Sequence, residues 1–296
     1  MVDQGLSWDL VADLQLLLQF HFMQNALLEG TIVAILAGGT GYFVVLRGQS
    51  FVAHMLANVG FPGAAAAALL HVAPVLGLIA FCVSAALGVG ALGGQMDAGR
   101  RAESAAVGTI LAFSLALGLL VTRLYSGTAQ AIYAFLFGTI LGITDRDVLI
   151  TLVTATVALG VLAFIGRPVF FASVDPDVAQ ARGVPVRLLS FVFLVLLALA
   201  VAEAVQVVGT LLIFALLVAP AAAAQRLTAR PLRGFVLAIA LSLLFTWVGL
   251  AAAYFSNRPV GFLITSVAFA TYVLIRAANN RRGARTTTRR GLVAPA

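Results

Sequence analysis

The sequence predicts an all-α polytopic membrane protein of about nine transmembrane helices, with one re-entrant or interfacial half-span. Composition is the first reason: 62% of the 296 residues are hydrophobic and 10% are charged, whereas soluble domains carry roughly a quarter charged residues. The second is that the apolar residues fall in runs close to the ~20 residues a helix needs to cross ~30 Å of hydrocarbon. Third, these runs are continuous. A membrane barrel requires alternating apolar and polar positions, and only helices and closed barrels satisfy their own backbone in lipid.

The spans read in order are Ala26–Leu46, Ser50–Leu70, Val72–Leu92, Ala105–Thr122, Val148–Ile165, Leu188–Val205, Val207–Ala224, Phe235–Phe255 and Val260–Ile275. Residues 1–25 form an extracytoplasmic segment in which Trp8–Gln24 mixes Leu and Phe with Asp13, Gln15, Gln19 and His21, a pattern suited to a helix lying at the interface. Asp3, Asp9 and Asp13 with no basic residue do not read as a cleavable signal peptide. Gly38-Gly39-Thr40-Gly41 in the first span and Gly88, Gly90, Gly93 and Gly94 at the end of the third let helix backbones approach closely. Ala131–Ile143 is too short to span and sits between Arg123 and Thr144-Asp145-Arg146-Asp147, hence the half-span. The membrane-spanning body is 26–276, and 277–296 is a basic tail expected to be disordered and to rest on anionic lipid. An eight-span count, with Ser50–Leu70 failing to cross, is the alternative.

Charge orients the array. The chain has no lysine, and its net charge of +7 comes from arginine alone. With nine spans, fifteen arginines share the side of the C-terminus, and Arg123, Arg146 and Arg258 lie on the other. The positive-inside bias places the C-terminus in the cytoplasm and the N-terminus outside. It also accounts for the basic balance without a nucleic-acid partner. The lone Cys82 lies inside an apolar run and reads as packing.

Ionisable groups within the spans are few. Glu29 lies near the outer end of the first helix and Glu203 near the outer end of the sixth, where they give the outer mouth some cation attraction or serve as interfacial charges. No Asp, Glu or His relay crosses the bilayer, which argues against a proton- or sodium-coupled carrier. HExxH, paired aspartates and GxSxG are missing, so no intramembrane protease is indicated. His54 and Asn58 stand four apart on one face of the second span, before the Pro62-Gly63 kink. A neutral imidazole and an amide oxygen offer a metal ion a weak, transient site; the alternative is that both bond to neighbouring helices. His21 and His71 read as interface residues.

Two segments on the arginine-rich side exceed what a plain loop needs. In Phe170–Val186, Asp175 before Pro176 makes an N-cap and Gly183 ends a short helix. In Ala219–Gly234, Pro220 and an alanine run lead to Gln225 and Arg226, stopped by Pro231. Short helices lying along the membrane fit a cytoplasmic partner.

Several landmarks fall in a recognisable order: Leu46-Arg47 and Pro62-Gly63 around the second helix, Phe137-Gly138 in the half-span, and Asp175-Pro176, Ala179 and Gly183 in the fifth-to-sixth loop. Gly209-Thr210-Leu211-Leu212, Leu217, Pro220 and Ala221–Ala224 follow. In this the chain resembles the permeases of zinc, manganese and iron ABC importers. The resemblance implies a multi-pass protein of the bacterial cell membrane that imports a divalent transition-metal ion by alternating access. It implies a second permease copy, a separate ATPase subunit that carries the ATP, and an extracytoplasmic metal-binding protein. ATPase coupling then falls on Asp175, Gly183, Pro220, Gln225 and Arg226, and a pathway metal site on His54 and Asn58. No cofactor is expected on this chain, and it is not an enzyme: without lysine it has no P-loop lysine. Relatives often carry Asp and His where this chain has His54 and Asn58, and an aspartate where it has Thr139. Loss of carboxylates shifts the expected ion towards zinc. An ABC permease for a metal chelate, siderophore or vitamin is the first alternative, and an energy-independent channel or secondary carrier the second.

Overall fold

The computed structural model of the protein describes residues 19–93, 99–124, 143–210, 213–256 and 258–291. Regular structure among them is helical throughout: α1 (His21–Leu46), α2 (Ser50–Leu69), α3 (Pro74–Gly93), α4 (Gly99–Leu124), α5 (Asp145–Val174), α6 (Pro176–Ala181), α7 (Val186–Val208), α8 (Ile213–Leu217), α9 (Ala219–Leu227), α10 (Pro231–Ser256) and α11 (Val260–Gly291). Seven of them (α1, α2, α3, α5, α7, α10 and α11) are long and apolar enough to cross a membrane. The fourth and seventh predicted spans are the shorter apolar stretches Ala105–Val121 and Ala215–Leu227. Residues 1–18, positions 131–142 of the predicted half-span, with Phe137, Gly138 and Thr139, and also Leu211 and Leu212 lie outside the described residues.

The seventh span is not one rod. Gly209 ends α7 with φ 84° and ψ 163°, a backbone conformation essentially reserved for glycine. Chain direction resumes in α8 and again in α9. Pro220 near the start of α9 has no N–H for the carbonyl four residues earlier. That carbonyl, on Leu216, accepts instead from the Ser242 hydroxyl of α10 at 3.3 Å. Thr144 starts α5 with a capping box: its hydroxyl accepts from Asp147 N, and the Asp147 carboxylate accepts from Thr144 N at 3.0 Å. The helix then passes Ile165 and Pro168 and stops at Asp175, the residue before Pro176. Two other boundaries differ from the sequence reading. α1 begins at His21 rather than after residue 25, and α11 runs helical to Gly291, past 276, through a stretch free of proline and rich in alanine and arginine.

α1 is the central helix, packed by α5, α7, α8, α9 and α10. α2, α3 and α4 form a second group, which α7 joins to the first by packing on α1, α2, α3 and α5. Small residues make these seams close. A Cβ on Gly63 would stand 2.4 Å from the Gly77 carbonyl, so α2 and α3 meet backbone to backbone. One on Gly41 would stand 2.0 Å from the Leu217 carbonyl, where α1 meets the end of α8. Cys82 is fully buried in the α2–α3 seam, its thiol directed at the Leu56 carbonyl, in the packing role the sequence suggests.

Side-chain bonds fix which helix ends lie together. At one end, Arg47 donates to Ser190 Oγ at 2.7 Å, and Gln225 donates to the Tyr42 carbonyl at 3.0 Å. The end of α1, the start of α7 and α9 thus share this arginine-rich end. At the opposite end, Asn25 donates to Asp145 at 2.7 Å, and Glu203 accepts from Thr151 and Thr154. The starts of α1 and α5 and the end of α7 meet there.

Candidate functional site

α2 is buried along most of its circumference, including Val52, Ala53, Met55, Leu56, Ala57 and Val59. His54 and Asn58 are half-buried and continue a part-open stripe that begins at the exposed Phe51. The four-residue spacing brings them together: Asn58 Nδ2 donates to the His54 carbonyl at 2.9 Å and lies 3.4 Å from His54 Nε2. The pair offers imidazole and amide donors of intermediate softness. Among the described residues no group of three His, Cys, Asp or Glu side chains converges as a metal site. Two donors fall short of the four to six ligands that a bound divalent ion takes.

Glu29 and Glu203 are inside the bundle, each 0% exposed. Glu203 accepts from Thr151 at 2.8 Å, Thr154 at 2.5 Å and Gln206 at 3.3 Å. Glu29 faces this group from α1, close to Glu203, Asp147 and Thr151, yet neither of its oxygens has a hydrogen-bond partner. The Thr151 hydroxyl has one proton and gives it to Glu203. Thr151, Thr154 and Gln206 escape the sequence reading. Their signal is present: two threonines three apart on α5, and a glutamine three after Glu203 on α7, in otherwise apolar spans. Of the other histidines, His21 pairs with Asp145 at 3.7 Å, both well exposed, and His71 is an exposed turn residue with φ 56°.

At the arginine-rich end both predicted short helices form. Asp175 accepts from Val178 N at 3.0 Å with Pro176 in the first turn of α6. Gly183, at φ 79°, closes α6: its N–H bonds to Gln180 O at 3.0 Å and that of Val184 to Ala179 O at 3.1 Å. Ala179 is the buried anchor of a helix that otherwise faces outward. On α9, Pro220 and Ala221, Ala223 and Ala224 are buried, and Gln225 ties the helix to α1. Arg226 is exposed, its guanidinium 5.4 Å from the centre of the Tyr272 ring. A separate open cavity of about 590 Å³ lies between α1, α5 and α10, lined by Tyr42, Phe43, Phe170, Phe235 and aliphatic side chains with Arg167. It lacks metal donors.

Residues 19–279 match the model of the ABC 3 transport family. The chain is 32% identical over 253 residues to the manganese import system permease protein ScaB of Streptococcus parasanguinis, covering 85% of this chain and 89% of that one. It is 29% identical over 252 residues to the manganese transport system membrane protein MntC of Listeria monocytogenes, with the same coverage, 85% and 89%. Its fold matches a chain in the structure of PsaBC from Streptococcus pneumoniae in complex with Fab, with TM-score 0.79 at 29% identity, over 90% of this chain and 94% of that one. A bundle of apolar helices broken at Gly209 and carrying α6 and α9 at its basic end is therefore a multi-pass membrane permease of metal-importing ABC transporters, and the chain belongs to the ABC 3 transport family.

Proposed function

We propose that the chain imports manganese, as the membrane-spanning partner of a separate ATPase and an extracytoplasmic metal-binding protein, with its C-terminus in the cytoplasm. Family membership over residues 19–279 carries this reading. The choice of ion rests on the relatives, both manganese systems by name. They outweigh the zinc preference drawn from His54 and Asn58, because those two residues alone do not complete a coordination shell. A second permease copy facing the open stripe of α2 supplies the missing donors, since a duplicated His54–Asn58 pair doubles the ligand number.

The mechanism follows from the two ends of the bundle. The short helices α6, capped by Asp175, and α9 present the surfaces on which the ATPase docks, and Gln225 transmits its movement to α1 through the Tyr42 carbonyl. ATP binding brings two ATPases together and rocks the permeases about the α2 stripe, opening the ion's path to one side at a time. The arginine bias supports the placing of α6, α9 and the tail inside.

The assembly is tested by tagging this chain, co-expressing it with the ATPase encoded for it, and purifying on the tag. The expected result is co-purification that Arg226→Glu abolishes while membrane insertion is kept. Co-purification unchanged by that reversal removes α9 from the docking surface. An unmodified chain that never retains an ATPase, yet moves metal, removes the ABC mechanism.

A further inference from the structure

We propose that Glu29 and Glu203 together bind a divalent cation inside each permease chain, between α1, α5 and α7, at a site separate from the His54–Asn58 pair. The proposal does not depend on which ion the permease carries. It starts from an imbalance. Both carboxylates are 0% exposed, and they are electrostatic neighbours on the packed helices α1 and α7. Among the described residues neither carboxylate pairs with an arginine or histidine, and the His21–Asp145 pair lies at the surface. The charged neighbour on the remaining side is a further carboxylate, Asp147, engaged by Thr144. Buried carboxylates without a counter-charge are strongly unfavourable.

The two residues are not equivalent, and the difference locates the ligand. Glu203 is held by Thr151, Thr154 and Gln206, which fix its orientation as outer-shell partners do around metal ligands. Glu29 lies beside this prearranged group with Thr151 as a neighbouring hydroxyl, but that hydroxyl's proton goes to Glu203 at 2.8 Å, so neither Glu29 oxygen gains a hydrogen bond. A buried polar side chain without a partner calls for one. Two carboxylates balance the charge of one divalent ion. The threonine hydroxyls keep lone pairs after donating to Glu203. The donors are all oxygen, which selects a hard ion of the manganese, magnesium or calcium type and disfavours a thiolate- or imidazole-seeking one. Glu29 lies eight residues into α1, about 12 Å along the helix at 1.5 Å per residue. Bound there, the ion joins three helices that already pack through their apolar faces.

The experiment uses the full chain purified in detergent, in a His54→Ala background that removes the other candidate site, with Mn²⁺ as the probe. Retained Mn²⁺ is counted by equilibrium dialysis, and thermal unfolding is followed with and without Mn²⁺. The expected result is about one Mn²⁺ per chain and a raised Tm in its presence. Glu29→Gln and Glu203→Gln lose both effects. Thr154→Val, which leaves the carboxylates but frees one oxygen of Glu203, weakens binding about 10- to 100-fold. Glu29→Gln is isosteric and removes a buried carboxyl that lacks a hydrogen-bond partner, so its Tm without metal stays at or above that of the parent. Failure of the His54→Ala chain to retain Mn²⁺, or equal retention by Glu29→Gln, overturns the proposal. A Tm that follows pH and ignores Mn²⁺ also overturns it, and assigns the pair a shared proton instead. If the glutamine variants fail to fold, the parent chain and Thr154→Val decide the matter alone.

Discussion

His54 and Asn58 occupy a part-open stripe on a helix whose other faces are buried, and the pathway role proposed for them depends on that placement. An imidazole next to an amide inside a packed core would be a hydrogen-bonded pair and no more. On the open stripe, the Asn58 amide holds the imidazole at 3.4 Å while both remain reachable from outside the protomer. His54→Ala should lower metal uptake by about tenfold or more, since even indirect metal partners have effects of that size. Uptake in cells at matched permease levels checks this, and an unchanged rate would return His54 to packing. The pair was legible in the sequence because two polar residues four apart stand out in an apolar run. The surroundings of Glu203 were not: Thr151 and Thr154 belong to a helix 52 and 49 residues away, and only the packing of α5 on α7 brings them together.

At the scale of the element, glycine positions separate seams from lipid-facing surface. Gly63 and Gly77 meet backbone to backbone, whereas a Cβ on Gly160 of α5 would meet nothing within 4 Å. Gly63→Leu should therefore lower stability by about 1–3 kcal/mol or more through overpacking. Gly160→Ala should leave it unchanged or raise it by about 0.5–1 kcal/mol through helix propensity. Thermal unfolding in detergent measures both, and equal effects would contradict the packing described. Gly183→Ala places a side chain at φ 79°, at a cost of about 1–2 kcal/mol at the end of α6. It should reduce ATPase co-purification while sparing insertion. The elements themselves were largely legible, because a continuous apolar run of bilayer length has few alternatives. The break at Gly209 was not: Gly209-Thr210 reads equally well as a small-residue packing site within one helix. What divides it is the φ of one glycine, with the Ser242 hydroxyl taking up the Leu216 carbonyl that Pro220 leaves without a donor.

For the whole molecule, side-chain ties at two opposite ends define an axis, and the arginines define its direction. If the basic end is cytoplasmic, a reporter domain fused after Ala296 should be shielded from impermeant reagents in intact cells and reached only after lysis. Labelling in intact cells would invert the topology. The cargo proposed to move along this axis is manganese. The most direct test is uptake of radioactive manganese and zinc by cells lacking their own importer, expressing this chain with its ATPase and metal-binding protein. Manganese accumulation that requires this chain and ATP, with zinc entering more slowly, is the predicted result. Zinc accumulation without manganese would restore the ion preference that the His54–Asn58 donors suggest. No accumulation of either ion by a demonstrably assembled transporter would contradict metal import itself.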